Sequence, residues 1–173
     1  MITIVSTTNR EESMTYKVAL SYSKLLDQMH VEHQIFDLCN LPTDFMFSNF
    51  GDTATDDFVN QVDQYINKAD RFIVISPEYH GSYPGIFKAF IDCIGNDGLK
   101  EKKVALVGVA SGRAGNLRGL DHLTALFHHL RAEVYSFKPK LSVINKLFNE
   151  NDVIDDLDTI KLIQNQINGF LTF

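Results

Sequence analysis

The chain has 173 residues, 45% of them hydrophobic and 22% charged, and its formal net charge is −6. This size and composition predict one globular domain over residues 1–173 with a full hydrophobic core. The negative charge and the lack of a basic run argue against nucleic acid or an anionic membrane as the main partner. With no apolar run near the ~20 residues that cross a bilayer and no basic leader, we expect a cytoplasmic protein.

Strand-like and helix-like apolar patterns alternate along the chain. The predicted strands are Ile2–Ser6, Glu32–Asp37, Arg71–Ser76, Lys103–Ala110 and Glu133–Phe137. The predicted helices lie near Met14–Met29, Asp56–Lys68, Ile86–Gly95, Leu117–Leu130 and Asp156–Phe170. A helix between each pair of strands implies parallel pairing with right-handed crossovers, and therefore a doubly wound α/β sheet with helices on both faces.

The longest irregular segment runs from Cys39 to about Ala54 and is apolar for a loop, with Phe45, Met46, Phe47 and Phe50. Such a segment could cover the edge of the core, a substrate pocket or a subunit contact. The two cysteines, Cys39 and Cys93, stand in no CxxC or Cys/His cluster. We therefore expect buried free thiols and no metal site.

The first candidate loop, Ser6–Thr15, joins the first strand to the first helix. Its hydroxyl side chains, an arginine and the free amides of a helix N-terminus can together enclose a phosphate group. The alternative is a capped helix, for which Ser13 as N-cap is a sufficient reason. Glu11 and Glu12 would disfavour a phosphate unless they point to solvent.

The second candidate loop, Ser76–Gly85, follows the third predicted strand and contains two prolines, two glycines, two tyrosines and a histidine. Parallel α/β sheets bind ligands outside the carboxyl ends of their strands, which is where this loop begins. The alternative is a plain connection whose aromatic residues cap the core.

The third candidate loop, Val109–Gly119, carries glycines at 112, 115 and 119. This spacing is neither a dinucleotide fingerprint nor a Walker loop. Glycines let backbone amides come close to a flat heterocycle, although a glycine-rich turn before a helix is the alternative.

Segments of all three loops resemble one family, the NADPH-dependent FMN reductases. Residues Pro77–Asp92 resemble its P-E-Y-H/N-x-S-x-P-G-x-L-K-N-x-x-D segment, and the third loop is similar to its S-G-G/x-x-G-G segment. The first loop resembles its G-S-x-R-x-x-S motif, with Thr7 in the place of glycine. The resemblance extends from Ser6 to Asp121.

The resemblance implies a flavodoxin-like five-stranded sheet of order 2-1-3-4-5, in which the three loops meet at one edge. It also implies bound FMN, with NADPH or NADH as co-substrate. The implied phosphate ligands are Thr8, Arg10, Ser13 and Thr15. The residues implied to border the ring are Pro77, Glu78, Tyr79, His80 and Gly81 on one side, and Ser111, Gly112, Arg113 and Gly115 on the other.

The implied activity is a ping-pong transfer of electrons from the nicotinamide through FMN to a small acceptor, which is a quinone, a free flavin or an azo compound. We expect His80 to contact flavin or substrate by hydrogen bonds, because the family has His or Asn there. A flavodoxin-type electron carrier and a flavin-free binding or regulatory protein are the alternatives.

The helix that follows the second loop is apolar on more than one face, which predicts a homodimer or homotetramer with residues Tyr83–Gly95 in the interface. Asp92 matches a family residue near subunit contacts, whereas Cys93 replaces the tryptophan that is common beside it.

Overall fold

Six strands and six α-helices form in the part of the chain that the computed structural model describes, residues 1–49, 53–95 and 97–173. The strands are β1 (Ile2–Ser6), β2 (His33–Asp37), β3 (Arg71–Pro77), β4 (Lys103–Val109), β5 (Glu133–Val134) and β6 (Lys140–Leu141). The helices are α1 (Met14–Gln28), α2 (Phe45–Ser48), α3 (Asp56–Val62), α4 (Gly85–Cys93), α5 (Leu117–His129) and α6 (Leu157–Thr172). One π-helical turn, Asp63–Asn67, extends α3 over the range predicted as a single helix.

The sheet is parallel and has the order β2-β1-β3-β4-β5, which confirms the predicted topology. The central strands β1, β3 and β4 are buried along almost their whole length. Their apolar runs follow from this position, because a parallel strand in the middle of such a sheet is covered on both faces.

Two hydrophobic cores lie on opposite faces of the sheet, so the prediction of helices on both faces is also confirmed. One core joins α4 and α5 to the sheet through residues such as Phe87, Phe90 and Phe127. The other joins α1 and α6 to it through residues such as Tyr22 and Phe170. No helix in the described ranges is long and apolar enough to cross a membrane.

The edge of the sheet beside β4 differs from the predicted single strand Glu133–Phe137. Only β5 pairs with the start of β4, and the chain leaves the sheet and returns as β6 beside the end of β4. The gap is filled by Gln166 of α6, whose side-chain amide donates to the carbonyls of Leu106 at 2.9 Å and Phe137 at 3.0 Å. A side chain thus supplies the hydrogen bond that an unbroken strand would have made.

Part of the apolar segment after β2 covers the edge of the core, where Leu41 and Phe45 are buried. Phe45 is buried and its ring lies parallel to that of Phe58, with centroids 6.1 Å apart. Met46 and Phe47 are exposed instead, and Phe50 lies outside the described residues. The two cysteines are free thiols but are half-buried, not buried as expected.

Candidate functional site

The three candidate loops lie together at the carboxyl edge of the sheet, because β1, β3 and β4 are neighbours. Between them is a cleft of about 380 Å³. It is lined by Arg10, Ser13, Met14, Thr15, Pro77, Glu78, Tyr79, Val109, Ala110, Ser111, Ile144 and Asn145. Seven of the thirteen predicted site residues are in this lining. The six that are not are Thr8, His80, Gly81, Gly112, Arg113 and Gly115.

One end of the cleft is formed by the N-terminus of α1. Ser13 is its N-cap, and the hydroxyl oxygen accepts the Tyr16 N–H at 3.1 Å. The capping role and a ligand role are compatible, because the Ser13 hydroxyl proton remains available to donate. Thr15 lies in the first turn and is buried, and its hydroxyl has no hydrogen-bond partner among the described residues.

Arg10 supplies the positive charge at this end of the cleft. Its side chain is exposed, and its guanidinium forms no ion pair with any residue of the described ranges. Glu11 and Glu12 are also exposed, which is the condition under which they do not disfavour a phosphate. A free guanidinium next to a helix N-terminus can bind an anion with two oriented donors.

The two threonines before Arg10 are completely buried. Thr7 donates its hydroxyl to the Ile75 carbonyl at 3.1 Å, and its φ is outside the left-handed region. A β-branched residue is therefore unstrained where the family has glycine. Thr8 Oγ1 lies 2.7 Å from Tyr79 Oη and accepts the Arg10 N–H at 3.3 Å.

The second loop contains a tight turn over Tyr79–Ser82, closed by two backbone hydrogen bonds of 2.9 and 3.1 Å. Its central residues, His80 and Gly81, have φ of +52° and +77°. Two positive φ values indicate a type I′ turn. Asn and His tolerate the left-handed region better than most residues, which gives a physical reason for either at position 80. A Cβ on Gly81 would lie 3.3 Å from the Arg118 guanidinium.

Side chains from α5 and from the residue before it hold the second loop in place. Asn116, in the left-handed conformation at φ +63°, donates its side-chain amide to the carbonyls of Ser76 at 2.9 Å and Pro77 at 3.0 Å. Ser82 Oγ is 2.9 Å from His122 Nδ1. The ion pair of Glu78 with Arg118 is 3.7 Å long and its arginine is exposed, so it contributes little.

The third loop faces β6 more than the cleft. A Cβ on Gly115 would lie 2.7 Å from Lys140 Cβ, so this glycine is needed for packing against β6. Gly112 accepts a backbone hydrogen bond from Val143 at 3.0 Å, and the Arg113 carbonyl accepts from Ser142 Oγ at 2.8 Å. Of the predicted residues in this loop, only Ser111 lines the cleft.

Sequence reasoning missed two kinds of residue. Ile144 and Asn145 line the cleft because β6 pairs with β4 and brings the following segment to the same edge. No motif marks them. Asn116 was also missed, although an asparagine between a glycine and a helix is a common signal for left-handed backbone.

The sequence model of the NADPH-dependent FMN reductase family matches residues 1–137. An FMN-dependent NADPH-azoreductase of Staphylococcus aureus is 34% identical over 105 residues, which cover 58% of this chain and 54% of that protein. The corresponding enzyme of Staphylococcus saprophyticus is 32% identical over 100 residues, covering 56% of this chain and 53% of that protein. The chain thus spans about half the length of these curated relatives.

Solved structures show the same fold. FerB, a flavoenzyme NAD(P)H:(acceptor) oxidoreductase from Paracoccus denitrificans, superposes with a TM-score of 0.82 at 22% identity, covering 99% of this chain and 94% of that one. An NADH:FMN oxidoreductase in its apo form gives 0.72 at 23% identity, covering 98% and 87%. The family match extends over most of the chain and includes all three loops. This chain belongs to the NADPH-dependent FMN reductase family, which has FMN and NADPH as its flavin and reductant.

Proposed function

We propose that this chain is an NAD(P)H-dependent FMN oxidoreductase that passes electrons through bound FMN to a small acceptor such as a quinone, a free flavin or an azo compound. The observation that carries the proposal is the cleft at the carboxyl edge of the sheet. At one end it has an unpaired arginine and a helix N-terminus, and at the other it has the braced second loop. The names of the curated relatives support the azo compounds among the acceptors.

The residues at the α1 end fit the phosphate of FMN. Arg10 would pair with it, and the hydroxyls of Ser13 and Thr15 would donate to it. Each of these groups has a donor that is free in the protein itself. The dipole of a 15-residue helix adds favourable potential for a dianion at this point.

The rest of the cleft fits a flat ring system. Its volume of about 380 Å³ is within the range of small-molecule sites. Pro77, Glu78 and Tyr79 of the second loop and Ser111 of the third loop line this part of the cleft. When bound, FMN would accept a hydride from the nicotinamide and then pass the electrons on to the acceptor. The chain's own residues would bind the flavin, orient it and leave one face open to both substrates in turn, as a ping-pong cycle requires.

Purified full-length protein tests this proposal directly. We expect a flavin absorption spectrum after FMN is added, and oxidation of NADPH when a quinone or azo dye is present. Rates measured at several fixed acceptor concentrations should give parallel double-reciprocal lines. FMN binding without NADPH oxidation would favour an electron carrier, and a protein that binds no flavin would favour the flavin-free alternative.

We also propose that the chain forms a homodimer or homotetramer through residues Tyr83–Gly95. Several apolar residues of α4 and its C-cap are only half-buried within one chain: Ile86, Ala89, Cys93 and Ile94. The short helix α2 contacts α4 and presents Phe47, whose side chain is 86% exposed. An apolar surface of this kind, next to α4, is suited to a second copy of the chain.

Sedimentation at micromolar concentration tests the assembly. Phe47→Asp should weaken association, because a charge would be buried at the contact. Leu157→Asp is the matched control, since Leu157 is also largely exposed but lies on α6, which packs on the opposite face of the sheet. A parent protein that sediments as a monomer would contradict the proposed assembly.

A further inference from the structure

Thr8 holds a position that its sequence motif does not explain. The residue is completely buried and does not line the cleft, yet it lies directly before two residues of the first loop that face solvent. Its hydroxyl is 2.7 Å from Tyr79 Oη, which belongs to the second loop, 71 residues further along the chain. Within the described chain, this is the only side-chain hydrogen bond between the first and second loops.

The hydrogen-bonding capacity of Thr8 is already used inside the protein. Its oxygen accepts the Arg10 N–H at 3.3 Å. Its single proton has one acceptor within reach among the described residues, which is Tyr79 Oη. Either hydroxyl could donate in this pair, and we assign the proton to Thr8 because a buried hydroxyl that does not donate is costly. The phenol proton of Tyr79 then remains available to the cleft.

We infer that Thr8 is a positioning residue that couples the two ends of the cleft, and that it does not contact the FMN phosphate. Through one oxygen it fixes the backbone of Arg10 at the phosphate end and the side chain of Tyr79 at the ring end. This inference rests on the proposed function, since it assumes that flavin occupies the cleft. Arg10, Ser13 and Thr15 are then the groups that bind the phosphate.

A double-mutant cycle on the full chain distinguishes a coupling role from direct contact. FMN affinity is measured by fluorescence titration for the parent, Thr8→Val, Tyr79→Phe and the double variant. We expect Thr8→Val to weaken FMN about three- to tenfold in the parent. In the Tyr79→Phe background it should weaken FMN by a clearly smaller factor, because the bond to Tyr79 is already absent and only the bond to the Arg10 N–H is lost. The same factor in both backgrounds would overturn the inference.

Two further measurements keep the test specific. The absorption band of FMN at saturation should change alike in Thr8→Val and Tyr79→Phe and be retained in Thr8→Ser, which keeps the hydroxyl. An unchanged band in Thr8→Val would count against coupling to the ring end. If Thr8→Val does not fold, as judged by thermal unfolding without flavin, Thr8→Ala takes its place in the cycle. A parent protein that binds no FMN would refute the proposed function itself.

Discussion

The two ends of the cleft are built in different ways. The second loop is held by the protein: its turn closes on itself, and side chains from Thr8, Asn116 and His122 bind it from three directions. At the α1 end, by contrast, Arg10 and Thr15 have side-chain donors that no described residue accepts.

This difference indicates where a ligand contributes order. Donors that are satisfied within the protein keep their positions whether or not a ligand is bound. Donors that are free gain a partner only when an anion arrives. If FMN binds as proposed, the second loop would be preorganised for its rigid ring, and the phosphate would complete the α1 end.

The largest expected effect is the loss of FMN affinity on removing Arg10, the unpaired cation of the cleft. Arg10→Ala should weaken FMN by at least about tenfold, because a charge-assisted hydrogen bond to a dianion contributes about 1.5–3 kcal/mol. Riboflavin, which lacks the phosphate, should bind far more weakly than FMN to the parent and should be indifferent to this change. Fluorescence titration with both flavins measures the difference.

The control for Arg10 is the stability of the flavin-free protein. Since the side chain is exposed and unpaired, Arg10→Ala should leave the melting temperature of the apo form within the experimental error of the parent. Equal affinities of the parent for FMN and riboflavin would contradict the assignment of this end of the cleft to phosphate.

The next largest effect is expected in the second loop, which the protein itself holds in place. Gly81→Val places a β-branched side chain at φ +77° and against the Arg118 guanidinium. We expect the apo form to lose about 1–3 kcal/mol of unfolding free energy and FMN affinity to fall with it. Chemical denaturation and FMN titration on the same variant give both quantities.

Two further variants test whether the left-handed backbone conformation of Gly81 causes these losses. Gly81→Asn should lose less stability than Gly81→Val, because asparagine tolerates the left-handed region. Gly85→Ala is the matched control, since Gly85 is in the same loop but has no positive φ and nothing within 4 Å of a new Cβ. If Gly85→Ala were as damaging as Gly81→Val, the turn geometry would not be the cause.

Most of the sheet could be predicted from sequence, because buried parallel strands such as Ile73–Ile75 give continuous apolar runs. The order of the strands came from the family resemblance. The split at the edge could not be predicted. It depends on Gln166, a residue of the last helix, and β6 has only two residues, too few to give a pattern.

The site was predictable to the extent that its residues belong to motifs. Arg10, Ser13 and Tyr79 were found in this way and do line the cleft. Asn145 was not, because it reaches the cleft only through the pairing of β6 with β4. For Gly81 the family resemblance implied a place beside the ring, whereas the structure gives a separate reason for glycine, a turn in which its φ is +77°.

The smallest expected effect separates the two roles of Ser13. Aspartate is as good an N-cap as serine, and its charge interacts favourably with the helix dipole. Ser13→Asp should therefore keep or raise the melting temperature of the apo form. The same charge would repel a phosphate at the α1 end, and we expect FMN to bind about two- to fivefold more weakly, the scale of an exposed charge interaction. Since salt screens such an effect, the loss should shrink at high ionic strength. A variant that is as stable as the parent and binds FMN equally well would show that Ser13 only caps the helix, and the phosphate would then depend on Arg10 and Thr15.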